Sequence, residues 1–122
     1  METKQVAQEF TQLCKDGKFE EAGRRFWSEK VVSLEPMSGP MARSEGIQAV
    51  KAKGDWWYQN HEVHSAQAEG PYVHGDQFAV RFALEVTPKV VEMAGKRVKM
   101  TEIGLYTVQD GRITEERFFF GG

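Results

Sequence analysis

Three glutamates, Glu35, Glu102 and Glu116, are the side chains whose types and spacing could do chemistry in this chain. Glu102 alternates with Met100, Gly104 and Tyr106, and Glu116 with Phe118 and Phe120, so on strands each acid shares a face with apolar or aromatic neighbours. Glu35 precedes Pro36 at the end of a short run containing Val31 and Val32. Burial raises a carboxyl pKa and a neighbouring carboxylate raises it further. Acids gathered in an apolar cavity therefore divide, near neutral pH, into an ionised base and a neutral hydrogen-bond donor. Removing a proton next to a carbonyl requires such a pair. The competing arrangement pairs the acids with Arg81, Arg97 or Arg117 across neighbouring strands on an outer face. Arg81 alternates with Phe78, Val80, Phe82 and Leu84, so it is a surface residue if the phenylalanines face the helices.

The histidines do not read as a metal site. His61 and His64 are three apart, which puts them on opposite faces of a strand, and His64 and His74 stand roughly 33 Å apart along an unbent one. His64 alone is assigned to a pocket wall, as an acid or base. No glycine-rich phosphate loop and no Ser-His-Asp arrangement occurs, and neither a metal nor a cofactor is expected. Cys14, on the inner face of a helical segment, reads as inert core.

The elements that must position these residues follow from periodicity. Val6, Phe10, Leu13 and Cys14 recur at helical spacing, Asp16-Gly17 breaks the pattern, and Phe19, Ala22 and Phe26 mark a second short helix. A short strand is predicted over 30–35, then a loop holding Pro36, Gly39 and Pro40 with Met37 and Met41 beside Glu35. Ser44 is a good N-cap for a third helix over about 45–59, which buries Ile47, Val50, Gly54 and Trp57. From His61 the period becomes 2, and strands are predicted over about 61–74, 76–88, 97–109 and 112–120. Gly75-Asp76 and Asp110-Gly111 join them as tight turns, and a long basic hairpin turns at Gly95-Lys96. Helices segregated onto one face of a curved, mainly antiparallel sheet define an α+β architecture with an opening at one end. Phe10, Trp57, Phe82 and Phe118 then join His64 and Glu116 as candidate ligand-contacting residues. The run Phe118-Phe119-Phe120 must send one ring outward, and with Ile103 and Leu105 that patch supports a homodimer.

Composition sets the outer bounds. A chain of 122 residues, 40% hydrophobic and 28% charged, is a single folding domain over its whole length. Sixteen Lys and Arg against eighteen Asp and Glu give a net charge of −2, which supplies no field for a nucleic-acid backbone. One cysteine, no apolar run of 18 residues and no export signal at the N-terminus point to a cytoplasmic protein with no membrane association.

The order of these elements, with Asp16-Gly17-Lys18-Phe19-Glu20, Glu35-Pro36, Ser44-Glu45-Gly46-Ile47 and Asp110-Gly111-Arg112-Ile113, resembles the nuclear transport factor 2-like superfamily over almost the whole chain. Within it the chain is most similar to the SnoaL-like branch, whose relatives include polyketide cyclases and ketosteroid isomerases. The resemblance implies a cone-shaped domain of three helices on the sheet, an internal pocket and a homodimer through the outer sheet face. It does not imply a reaction, because the fold hosts enzymes, binders and assembly modules. Ketosteroid isomerases place their base, an aspartate, directly before a proline, and Glu35-Pro36 stands in that place. Their oxyanion-binding tyrosine falls on Phe10, which lacks the hydroxyl. Their second acid falls near Gly104, two residues from Glu102 on the same face. The catalytic acid and histidine of SnoaL-like cyclases fall on Phe118 and Glu116, so that signature is broken. The reading that results is a pocket for a small apolar or carbonyl-containing molecule. Any catalysis there would be cofactor-free proton transfer, an isomerisation or cyclisation, with Glu35 as base and Glu102 or Tyr106 as oxyanion donor. The alternative is a non-catalytic ligand carrier or a dimeric protein-association module.

Overall fold

The structure, a computed structural model, describes residues 1–89 and 95–120. Helix α1 (Thr3–Lys15) buries Val6, Ala7, Phe10, Thr11 and Cys14 along one stripe. It ends where Gly17 adopts φ +77°, with Gly17 N–H donating to the Cys14 carbonyl and Lys18 N–H to the Leu13 carbonyl. These crossed bonds close the helix in the manner that a left-handed glycine permits. Helix α2 (Phe19–Phe26) follows at once and runs into strand β1 (Trp27–Leu34).

Between β1 and helix α3 (Ile47–Gln59) the chain forms a short strand, β2 (Arg43–Glu45), paired antiparallel with β1 through Ser33 and Ser44. Ser44 therefore does not cap the helix as its type suggests. The N-cap is Gly46, at φ +87°, and its amide donates to the Val31 carbonyl. Strands β3 (His61–His74), β4 (Gln77–Pro88), β5 (Val98–Gln109) and β6 (Arg112–Phe120) make an antiparallel meander. Asp110 and Gly111 both take positive φ in the β5–β6 turn, the conformation that suits a two-residue hairpin. The expected turn at Gly95-Lys96 belongs to a hairpin of which residues 90–94 lie outside the described residues, as does the C-terminal pair 121–122.

The sheet order is β2-β1-β6-β5-β4-β3, and β1 lies parallel to β6 while the other pairs are antiparallel. Among the described residues, three helices on one six-stranded mixed sheet make the α+β architecture that the periodicity predicts. Phe78, Val80 and Phe82 of β4 and Tyr106 and Val108 of β5 point toward the helices and form the core with Phe10, Cys14, Ala22 and Val31. Phe10 meets Phe78 edge-on at 5.8 Å and Tyr106 at 4.8 Å, and Phe78 stacks on Tyr106 at 4.9 Å. Such pairs add about 0.5–1.5 kcal/mol each beyond the area they bury. Inward phenylalanines leave Arg81 on the outer face, beside Glu69 at 3.5 Å.

Candidate functional site

Beyond the aromatic core the helices and sheet diverge around a cavity of about 470 Å³ that opens at one end. Its walls include Phe10, Trp57, Phe82, Tyr106 and Phe118, and the acids Glu35, Glu102 and Glu116 all reach it. Strand alternation brings the last two there: across β5 and β6 Tyr106 pairs with Glu116, Gly104 with Phe118 and Glu102 with Phe120, all on the inner face. Glu35 follows β1, and its amide donates to the Ala42 carbonyl at 2.8 Å, which folds the loop carrying Met37 and Met41 over the same opening.

His64 does not join them. It is exposed, with Nε2 2.7 Å from the Thr87 hydroxyl on the outer face, because the β3–β4 register slips between Val63 and Ser65. The slip lets both Val63 and Ala66 line the cavity and turns the residue at the irregularity outward. His61 is the histidine at the wall, its ring stacked on Trp57 at 4.3 Å and its Nδ1 2.8 Å from the Trp57 carbonyl oxygen. Among the described residues no group of three or more His, Cys, Asp or Glu is placed to hold a metal ion.

The acids differ in their surroundings. Glu35 Oε1 accepts from Lys53 Nζ at 2.9 Å, in an ion pair whose side chains are only 12% (Lys53) and 15% (Glu35) exposed. Glu35 Oε2 is buried and has no partner. Glu116 accepts at both oxygens, from Trp27 Nε1 at 2.8 Å and from the Ser33 hydroxyl at 2.8 Å. Burial pushes the Glu116 carboxyl above the usual carboxylate range, while these two donors and Lys53 pull it back. Glu102 has burial and the negative charge of Glu35 against it, partly offset by Lys53, and its carboxyl is pushed up to about 7. Burial also raises the Tyr106 hydroxyl well above its ordinary value and the Cys14 thiol to about 12, so both stay protonated at neutral pH.

Ser33, Lys53 and Trp27 escaped the sequence reading, although two left a signal. Lys53 lies three residues after Val50 and four before Trp57, on the helix face already assigned to the interior, and Ser33 alternates with Val31. Trp27 reaches Glu116 because Gly23 on α2 leaves room: a Cβ there would lie 2.6 Å from the indole ring. A Cβ on Gly104 would likewise lie 2.7 Å from the Tyr106 hydroxyl, so that hydroxyl occupies the space a side chain at 104 would fill.

A SnoaL-like domain model matches residues 1–120. The chain belongs to the SnoaL-like family. This SnoaL-like protein is 49% identical to a candidate SnoaL-like polyketide cyclase, also described as a carbohydrate phosphatase, from Mesorhizobium loti. The match covers 98% of this chain and 100% of that one, with a TM-score of 0.93. At 19% identity the fold recurs in a candidate SnoaL-like polyketide cyclase from Jannaschia sp. CCS1, covering 94% of this chain and 85% of that one at TM-score 0.75. It recurs again in a candidate isomerase from Bacillus subtilis, also at 19% identity, covering 99% and 90% at TM-score 0.75. No curated protein matches the SnoaL-like chain. No helix among its described residues is long and apolar enough to cross a membrane.

Proposed function

We propose that the cavity takes a compact, largely apolar compound with an enolisable carbonyl and moves a proton within it. Glu35, paired through Oε1 with Lys53, is the base, and its unpartnered Oε2 removes a proton from the carbon next to the carbonyl. Glu102, neutral below about pH 7, donates a hydrogen bond to the oxygen on which negative charge develops, and Tyr106 is a second donor on the same wall. Returning the proton to another carbon completes an isomerisation; alternatively the enolate carbon attacks a second carbonyl, whose π bond breaks as the ring closes and whose oxygen takes the proton from Glu35. The observation that carries this reading is the meeting, in one largely apolar cavity, of Glu35 with an unpartnered oxygen and Glu102, a second carboxyl that burial pushes up to about 7. Aromatic walls formed by Trp57, Phe82 and Phe118 suit a flat or polycyclic body.

Proton–deuterium exchange at the carbons next to the carbonyl, followed by proton NMR over a panel of cyclic ketones and polyketones, tests it. The native protein should accelerate exchange, more slowly as pH rises through about 7 and Glu102 ionises. Glu35→Gln should lose on the order of 10²–10⁴-fold in rate while ligand quenching of tryptophan fluorescence persists. Equal exchange with both proteins, ligand bound, would make the cavity a carrier. The proposal includes a homodimer through the outer sheet face, where Ile103 and Phe119 pair across β5 and β6 and are 37% and 47% exposed. Sedimentation should find a dimer that Phe119→Asp dissociates, and a native monomer at micromolar concentration would remove it.

A further inference from the structure

Lys53 has no part in the proton transfer just described beyond its charge, yet its contacts are unusually complete. An ammonium has three N–H donors. One donates to Glu35 Oε1, another to Ser33 Oγ, and the ammonium lies 5.2 Å from the centre of the Phe118 ring, whose face attracts it. Ser33 is fully buried and has a single hydroxyl hydrogen. Since its oxygen receives from Lys53, that hydrogen goes to Glu116 Oε2. Trp27 Nε1, which can only donate, takes Glu116 Oε1. The directions of these four hydrogen bonds are thereby fixed. Glu116 accepts twice, as a carboxylate does, and both its oxygens are engaged, so it anchors the chain rather than meeting a ligand. The contacts run from Trp27 on β1 to Glu116 on β6, back to Ser33 on β1 and on to Lys53 on α3, and they end at Glu35 with one oxygen held and the other without a partner.

We propose that Lys53 is a positioning residue: braced by Ser33 on the Glu116 anchor, it holds Glu35 Oε1 and so fixes the carboxylate with Oε2 as its one unpartnered oxygen. The proposal rests on the role of Glu35 given above. A carboxylate left to itself presents either oxygen in several rotamers, and fixing it beforehand removes that entropy from the reaction barrier.

The test separates bracing from charge by carboxyl NMR titration of the free protein, read at Glu102, whose pKa Lys53 lowers. Lys53→Met should move the Glu102 midpoint upward, by at least about half a pH unit. Ser33→Ala removes no charge, but it releases the ammonium and should move the same midpoint in the same direction. If Lys53→Met does not fold, Lys53→Gln replaces it with the same expectation. On a substrate found in the exchange panel, Ser33→Ala and Lys53→Met should lower kcat by about tenfold or more with KM unchanged, and Lys53→Arg should recover part of the loss. A Glu102 titration and a kcat in Ser33→Ala equal to native would overturn the positioning role. Midpoints that shift as expected in a protein that exchanges no substrate would overturn the proposed reaction and leave the positioning intact.

Discussion

Replacing Glu102 by Gln should make the protein more stable, and increasingly so as pH rises. The folded carboxyl titrates at about 7 against an ordinary 4.5, because burial and the charge of Glu35 oppose its ionisation. Below about pH 4.5 the carboxyl is protonated folded and unfolded, and it makes no difference. Between about 4.5 and 7 the unfolded chain releases the proton while the folded one retains it, so native stability falls by up to about 1.4 kcal/mol per pH unit and is level thereafter. The interval of about 2.5 units sets a ceiling of about 3.4 kcal/mol. Glu102 is only partly buried, in a cavity open at one end, so about 1–3 kcal/mol is expected. Gln keeps the size and polarity and does not titrate. Urea unfolding of both proteins across pH 4 to 8 should give coincident stabilities at the acid end and a gap of that size favouring Glu102→Gln at the alkaline end. Parallel curves over the whole range, or a variant less stable at pH 8, would refute the claim that burial in the cavity raises the pKa of this acid.

Gly54→Ala should raise stability by about 0.5–1 kcal/mol in thermal melts, because the added methyl meets nothing within 4 Å and the helix gains a better former. Gly104→Ala should lower it by about 1–3 kcal/mol in urea: its Cβ lands 2.7 Å from the hydroxyl of Tyr106, whose ring is wedged against Phe10 and Phe78. Trp27→Phe leaves Glu116 Oε1 without a donor and should cost about 1.5–3 kcal/mol at neutral pH. That cost should shrink in acid, where Glu116 is protonated, and melts at two pH values measure the difference.

The fold was legible because its signals are local. The period change at His61, the Asp16-Gly17 break and the Asp110-Gly111 turn each act through their own few residues, and the four long strands begin and end within a residue or so of their expected bounds. β2 was not legible, since three residues carry no measurable alternation and Ser44 looks like a helix cap until β1 is beside it. Alternation also explains how Glu102 and Glu116 could each be grouped with apolar strand neighbours while the face itself stayed open, and why His64, expected at the pocket wall, faces outward: a register slip is decided by the neighbouring strand, and nothing in the spacing of β3 announces it.

The residue types and their spacing determined the order of helices and strands of an α+β fold, and they grouped Glu102 and Glu116 each with apolar or aromatic neighbours along its strand. Only the tertiary structure decided which charges meet. The Lys53–Glu35 ion pair joins α3 to the end of β1, and the Trp27–Glu116–Ser33 contacts span more than eighty residues of chain. The physical reason is range: periodicity and turn chemistry are properties of a few successive residues, whereas a carboxyl's ionisation depends on every charge and donor that packing brings near it.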